Sequence, residues 1–522
     1  MGFNSFTFIL LFLPILLLGW HGLNKYQKYA VADVFLVLMS LYFYYSFGAA
    51  FLVVLLSSIA GNYALSALLA WHEKRNPGKP ENTSKSSFAK CIKVIGVIFN
   101  LALLFYFKYL GFFIDNINSL TGATFTSKEI LMPIGISFFT FGQISFIVDR
   151  ANGEAPHYGL INYLMYTVYF PKLIQGPIAF HKEMIDQFQD KKLRNLDTNK
   201  MAMGIMAFII GLSKKVLLAD NLAKTVNYGF HYTYNLDTLT VIAVMLAYTF
   251  EIYLDFSGYC DMASGVSLML GYELPVNFNS PYKAATSKEL WQRWHMTLSR
   301  FFIKYVYIPL GGSRKGKVRT IINVLVVFVL SGLWHGAGWT YICWGLMQGL
   351  LVVWDNLGIT GIREDAADES RKSKNRYLLT KEPLIKVPRA VGNAITFTMF
   401  LLSLIFFGSY DMTYAFKMFD RIFFWTYPGF LYRTAENLAI PENYLFRMFF
   451  SQIGKTSMVT AVYLITFVLL LIISAFVMTR RNTMQIIHST RFDKKTVWGL
   501  AVLFVWSFIS LSNVSTFIYF QF

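Results

Sequence analysis

An all-α polytopic membrane protein is the fold class this sequence predicts, and three observations carry that prediction. The 522 residues are 55% hydrophobic and only 15% charged, where soluble chains carry roughly 25% charged residues. Apolar runs reach the ~20 residues that cross a bilayer core as a helix. Ala32–Ala70 is long enough for two spans, and Val94–Ile114 and Val459–Met478 for one each. Aromatic residues make up 18% of the chain, as expected of many helices that end in interfacial belts of Trp and Tyr.

The formal net charge of +18 does not point to nucleic acid. Lys and Arg cluster in short segments between apolar runs, the pattern of cytoplasmic loops. His72–Lys93 carries Lys74, Arg75, Lys79, Lys85, Lys90 and Lys93, with Pro77, Gly78 and Pro80 excluding a helix; Arg363–Arg389 and Arg480–Lys495 are two further basic loops. All three are expected inside. Counting spans from each end then agrees: both termini lie outside, and Lys25 and Lys28 lie inside. Phe6–Trp20 lacks a charged start and a small-residue cleavage site, so it reads as a retained first span. Cys91, Cys260 and Cys343 show neither paired nor metal-ligand spacing and read as apolar filler.

The middle of the chain is less regular. Tyr163–Phe180 holds Pro171 and Pro177 around a Gln-Gly turn, and Phe301–Leu310 is short before Gly311 and Gly312. Interrupted segments of this kind are tolerated at membrane depth only inside protein or along a cavity, so both are expected to be re-entrant. Tyr410–Thr456, rich in aromatics and outside by the count, is expected to form interfacial helices.

The chemistry concentrates in two tryptophan–histidine pairs. Trp291-Gln-Arg-Trp-His295 and Ser331-Gly-Leu-Trp-His335-Gly-Ala-Gly-Trp339 flank a basic turn, Gly311–Arg319. With that turn and Arg363–Arg389 both inside, the run between them must rise and return, which puts His335 near the reversal and His295 on the cytosolic approach. An ionisable group at membrane depth is a functional candidate by default, although a histidine can also simply bond a neighbouring helix. Imidazole, with an ordinary pKa of ~6.5, stays neutral with one nitrogen able to take a hydroxyl proton. His335 is the expected base, and His295 positions a donor or stabilises an oxyanion.

On a continuous helix, Trp291, His295 and Ser299 would share one face, and Arg293, Arg300 and Lys304 another. The basic stripe suits phosphate groups; ordinary inside-positive charge explains it equally well. Glu251 and Asp255, one turn apart in an apolar segment, suit a structural polar network, an active-site role or the coupling site of a transporter.

Read together, Tyr253-Leu-Asp-Phe-Ser-Gly-Tyr-Cys-Asp-Met-Ala, Asn277-Phe-Asn-Ser-Pro-Tyr282, Trp291–His295, Tyr307-Ile-Pro-Leu-Gly-Gly312 and Gly332-Leu-Trp-His-Gly-Ala337 resemble successive blocks of the membrane-bound O-acyltransferase family. The nearest branch holds the bacterial alginate O-acetylation membrane subunits and their peptidoglycan- and cellulose-acetylating relatives. Leu131–Phe138, Gln175-Gly-Pro177 and the terminal Phe517–Phe522 are similar to the same branch, so the likeness runs nearly end to end.

The resemblance implies a ring of roughly 11 transmembrane helices with re-entrant helices around a central tunnel. It implies one membrane domain over 1–522, with N-terminal spans in 1–130, a catalytic core in 131–358 and C-terminal spans in 359–522. It further implies acetyl-CoA as donor, no metal, and His335 and His295 as the family's histidines. Arg293, Arg300 and Lys304 are donor-binding candidates, and Trp294, Trp334, Asp255, Ser299 and Gln175 are supporting or tunnel residues. The expected setting is the bacterial cytoplasmic membrane. An extracytoplasmic partner of the SGNH-hydrolase type and a polysaccharide acceptor complete the implied system. Teichoic acid D-alanylation proteins share the histidines but are generally shorter and use a carrier-protein donor; the segment 410–456 favours the acetylating branch. A transporter or flippase is the non-enzymatic alternative.

Overall fold

The computed structural model describes residues 1–75, 86–126, 130–363, 379, 382–513 and 517. Most of the Arg363–Arg389 loop, the centre of His72–Lys93 and all of Phe517–Phe522 but its first residue lie outside them. The described residues are helical almost throughout, apart from two three-residue strands, Thr360–Ile362 and Ile385–Val387, paired in parallel. In hydrocarbon every backbone N–H and C=O must be satisfied within the protein, and a helix does this inside one segment.

Eight helices among the described residues are long and apolar enough to cross a membrane. They make the chain a multi-pass membrane protein. The run Ala32–Ala70 divides into Tyr29–Tyr45, apolar but shorter, and Ala49–Arg75, separated by a turn at Ser46–Gly48. Val94–Ile114 lies in Ser87–Thr121, and Val459–Met478 fills Thr456–Thr479. Trp339–Asn356 is as long as the first span but less apolar, and Ile136–Ala151 and Lys494–Ile509 are shorter.

The chain forms two compact units. The first comprises 1–212, 259–276 and 487–511. Its interior is aromatic: Phe43 and Phe170 have ring centroids 5.0 Å apart, and Phe12 meets Phe170 edge-on at 5.3 Å. Buried polar groups find partners there. Trp20 donates to the Leu270 carbonyl at 3.0 Å, Tyr169 and Ser267 share a hydroxyl contact at 2.9 Å, and Arg150 is bidentate to Glu73. The proline-rich segment 163–180 becomes two short helices, Leu160–Val168 and Phe170–Leu173, with Pro171 near the start of the second, where its missing N–H costs nothing.

The second unit comprises 213–258, 277–486 and the terminal residues from 512. Two kinds of helix make it. Thr456–Thr479 leaves Ile465, Ile472 and Phe476 exposed, as suits a helix bordered by lipid. The 238–258 part of Thr238–Met269 is buried along nearly all its length and carries Glu251, Asp255 and Ser257. Asp255 meets a cation, as a carboxylate at this depth requires. Lys215 Nζ lies 2.6 Å from Asp255 Oδ1 and 2.7 Å from Asp220 Oδ1, with all three side chains buried. Lys215 sits in a π-helical turn, Lys214–Ala219. The segment 410–456 folds as the short helices Met412–Arg421, Gly429–Glu436 and Tyr444–Gln452, none of them long enough to span.

Candidate active site

All the histidine chemistry anticipated from the sequence falls in the second unit. His335 is the last residue of the helix Lys317–His335, and the next helix, Trp339–Asn356, begins four residues later. The two helices form an antiparallel hairpin in which backbones touch. A Cβ on Gly332 would stand 2.2 Å from the Tyr341 carbonyl oxygen, and one on Gly345 would stand 2.3 Å from that of Phe328. Only glycine allows this approach. The reversal anticipated at His335 is therefore present, and glycine–glycine packing produces it.

The His335 imidazole is 2% exposed and boxed by aromatic rings. Trp344 stands 5.1 Å away at 88°, Phe407 5.2 Å away at 70°, and Trp334 4.8 Å away at 76°. Trp334 also lies 5.8 Å from the His295 ring, so one indole touches both imidazoles. A hydrogen-bonded chain runs beside the box from Trp291, whose ring lies 5.8 Å from that of Trp344. Trp291 Nε1 donates to Gln348 Oε1 at 3.1 Å, Gln348 Nε2 to Ser403 Oγ at 2.6 Å, and Ser403 Oγ to the Phe400 carbonyl.

His295 is wholly buried and sits in a left-handed backbone conformation, φ 43°. A non-glycine residue there is strained, and such strain persists only where the surroundings impose it. Thr286 caps the short helix Ser287–Trp291 by accepting from the Glu289 N–H. The N–H groups of Arg293 and Trp294 then close back on the Leu290 carbonyl. Two backbone bonds tie the reversal to a neighbouring strand-like segment: Asn279 N–H to Arg293 O and Met296 N–H to Asn277 O, both 2.9 Å. His295 Nδ1 lies 3.0 Å from Asn277 Oδ1, and Phe256 meets its ring edge-on at 4.9 Å.

This reversal corrects one expectation. The two stripes over residues 291–304 presume an unbroken helix, and the helix is broken between Trp291 and Met296. Ser299 still meets Trp291, donating to its carbonyl at 3.3 Å across the break. Arg293 lies in the break. Its Nε donates to Glu289 Oε1 at 3.1 Å and its Nη1 to the Asn279 carbonyl at 3.1 Å. Arg389 reaches the same Glu289 oxygen at 2.8 Å. Burial alone would raise the Glu289 carboxyl, but the Ala285 N–H and the two guanidiniums hold it below its ordinary range. Arg300 and Lys304 follow the break, both half-buried.

Trp294 packs 5.3 Å from Phe400, and Asp255 belongs to the Lys215 cluster. Gln175 lies in the first unit, fully buried, and its amide makes no hydrogen bond to the described residues. Sequence reasoning passed over three groups: Asn277 and Trp344, which the structure brings to the histidines, and Gln348, which it brings to Trp291. Asn277 opens the Asn277–Tyr282 block, so its signal was present; nothing local marks the other two. A cavity of about 230 Å³ adjoins the site, lined among others by Lys288, Trp291, Ser299, Ser331, Val352 and Asn356. Ser331 is one helical turn before His335.

The membrane-bound O-acyltransferase family model matches residues 145–375, which include both histidines. A peptidoglycan O-acetyltransferase of Helicobacter pylori is 32% identical over all of this chain and 97% of its own length. A probable alginate O-acetylase of Pseudomonas aeruginosa is 33% identical over 81% of this chain and 75% of its own. A teichoic acid D-alanyltransferase of Streptococcus thermophilus is 28% identical over 54% of this chain and 70% of its own.

Proposed function

Because the chain belongs to the membrane-bound O-acyltransferase family, and is therefore an acyltransferase, we propose that it carries acetyl groups from cytosolic acetyl-CoA to an extracytoplasmic acceptor. The product is an O-acetylated surface polysaccharide, of the peptidoglycan, alginate or cellulose type, and an SGNH-hydrolase-like partner relays the group. The observation that carries this reading is the match over essentially the full length of both chains to a peptidoglycan O-acetyltransferase.

In this reading the acceptor hydroxyl attacks the thioester carbonyl. The new O–C bond forms as the C–S bond breaks, His335 takes the hydroxyl proton, and the proton returns to the departing thiolate. The apolar cavity beside Trp291 and Ser331 supports an approach for the thioester arm, with Lys288 among its lining. Arg293, Arg300 and Lys304 are the residues proposed to meet the donor's phosphates, and Arg293 also pairs with Glu289. The chain sits in the bacterial cytoplasmic membrane with both termini outside.

D-alanyl transfer is the second reading, favoured by the weaker, partial match to a D-alanyltransferase. Purified protein in nanodiscs, offered acetyl-CoA or a D-alanyl-loaded carrier protein, distinguishes the two. Release of free coenzyme A thiol from acetyl-CoA is expected. Turnover of the carrier thioester alone would establish the second reading in its place.

A further inference from the structure

We infer that Asn277 is a positioning residue that fixes His295 as the tautomer protonated on Nδ1, leaving Nε2 as a hydrogen acceptor. The inference rests on the acetyl-transfer reading for its consequence, though not for its geometry. Asn277 Oδ1 receives three groups: the Thr297 backbone N–H at 3.3 Å, the Thr297 hydroxyl at 2.9 Å and His295 Nδ1 at 3.0 Å. The backbone N–H can only donate, so it selects the amide orientation in which the oxygen, not the NH₂ group, faces this point. An amide oxygen only accepts. His295 Nδ1 must then carry the hydrogen, and in a neutral imidazole the lone pair lies on Nε2.

The backbone reinforces the assignment. Met296 N–H donates to the Asn277 carbonyl at 2.9 Å, so main chain and side chain of Asn277 both grip the turn that holds His295 at φ 43°. Phe256 and Trp334 pack against the ring. A ring held this way cannot turn over to exchange its nitrogens without breaking the Asn277 contact.

The functional consequence is specific. A neutral His295 with Nδ1 engaged receives a hydrogen through Nε2 and has none to offer there. It holds a substrate hydroxyl or amide N–H, and it is not the hydrogen donor to a carbonyl oxyanion. One other residue type would keep this arrangement: aspartate, whose oxygens also accept from Nδ1–H.

The test is spectroscopic first. Full-length protein labelled with ¹⁵N-histidine in detergent gives imidazole nitrogen shifts, and the His295 signals are those lost in His295→Gln. The expected result is a protonated Nδ1 and an unprotonated Nε2. The opposite tautomer, or an even mixture, overturns the assignment whatever the protein's activity. The kinetic arm uses Asn277→Leu and Asn277→Asp with acetyl-CoA. Asn277→Leu should lower kcat at least about ten-fold with the donor KM within about two-fold, and Asn277→Asp should recover most of it. Equal losses in folded Leu and Asp variants contradict the positioning role. A wild-type protein that transfers no acetyl group at all contradicts the functional reading and leaves the tautomer to the nitrogen shifts.

Discussion

The His335 imidazole stands edge-on to Trp344, ring centroids 5.1 Å apart and planes at 88°. Trp344 in turn touches Trp291 at 5.8 Å and Phe407 at 5.0 Å, so it links the cavity wall to the histidine box. Trp344→Ala should cost the ~3–5 kcal/mol typical of emptying a large aromatic site and lower acyl transfer through loss of His335 positioning. Trp344→Phe, which keeps a ring there, should retain most of both. Thermal melting and turnover on the two purified variants check this; equal behaviour of Ala and Phe would contradict it.

The Gly332–Gly345 contact makes a sharper structural test. Gly332→Ala places a Cβ 2.2 Å from a backbone carbonyl that cannot move aside. A loss at or above the ~1–3 kcal/mol of an overpacked core is expected. Gly22→Ala is the control: it lies in the helix Leu13–Lys25 with nothing within 4 Å of the new Cβ. That change should be neutral or stabilising by up to ~1 kcal/mol, from helix propensity. Melting temperatures compare them directly.

Lys215 is held between two buried carboxylates. Lys215→Met leaves those carboxylates without their ammonium, a loss of ~3–5 kcal/mol for a broken buried pair. Adding Asp220→Asn and Asp255→Asn removes both charges and should restore much of the stability. Failure of the triple variant to recover would show that the cluster does more than balance charge.

Much of this was legible in the sequence for a simple reason. Helices that face lipid must be continuously apolar, so Val459–Met478 announces Thr456–Thr479 without any knowledge of its neighbours. The reversal at His335 followed from two basic segments flanking one apolar run. What escaped depends on distant partners. The helix break at 292–295 is held by Asn277, eighteen residues upstream of His295, and helical periodicity has no means of registering it. Glu289 gathers Arg293 and Arg389, one of them a hundred residues away. Lys215 answers Asp255 across forty residues. Each is a tertiary contact that overrides local pattern. Gln175, expected from the sequence in a re-entrant segment, follows the short helix Phe170–Leu173, and its side chain belongs to the first unit.

The central claim is that His335 removes the acceptor proton during acetyl transfer. The direct measurement is transfer of radiolabelled acetyl from acetyl-CoA to glycan or partner by His335→Gln, with protein level and melting temperature recorded on the same preparation. The account predicts a folded protein whose transfer falls by at least the ~10²–10⁴ of general-base catalysis. Transfer near the wild-type rate by folded His335→Gln would contradict it.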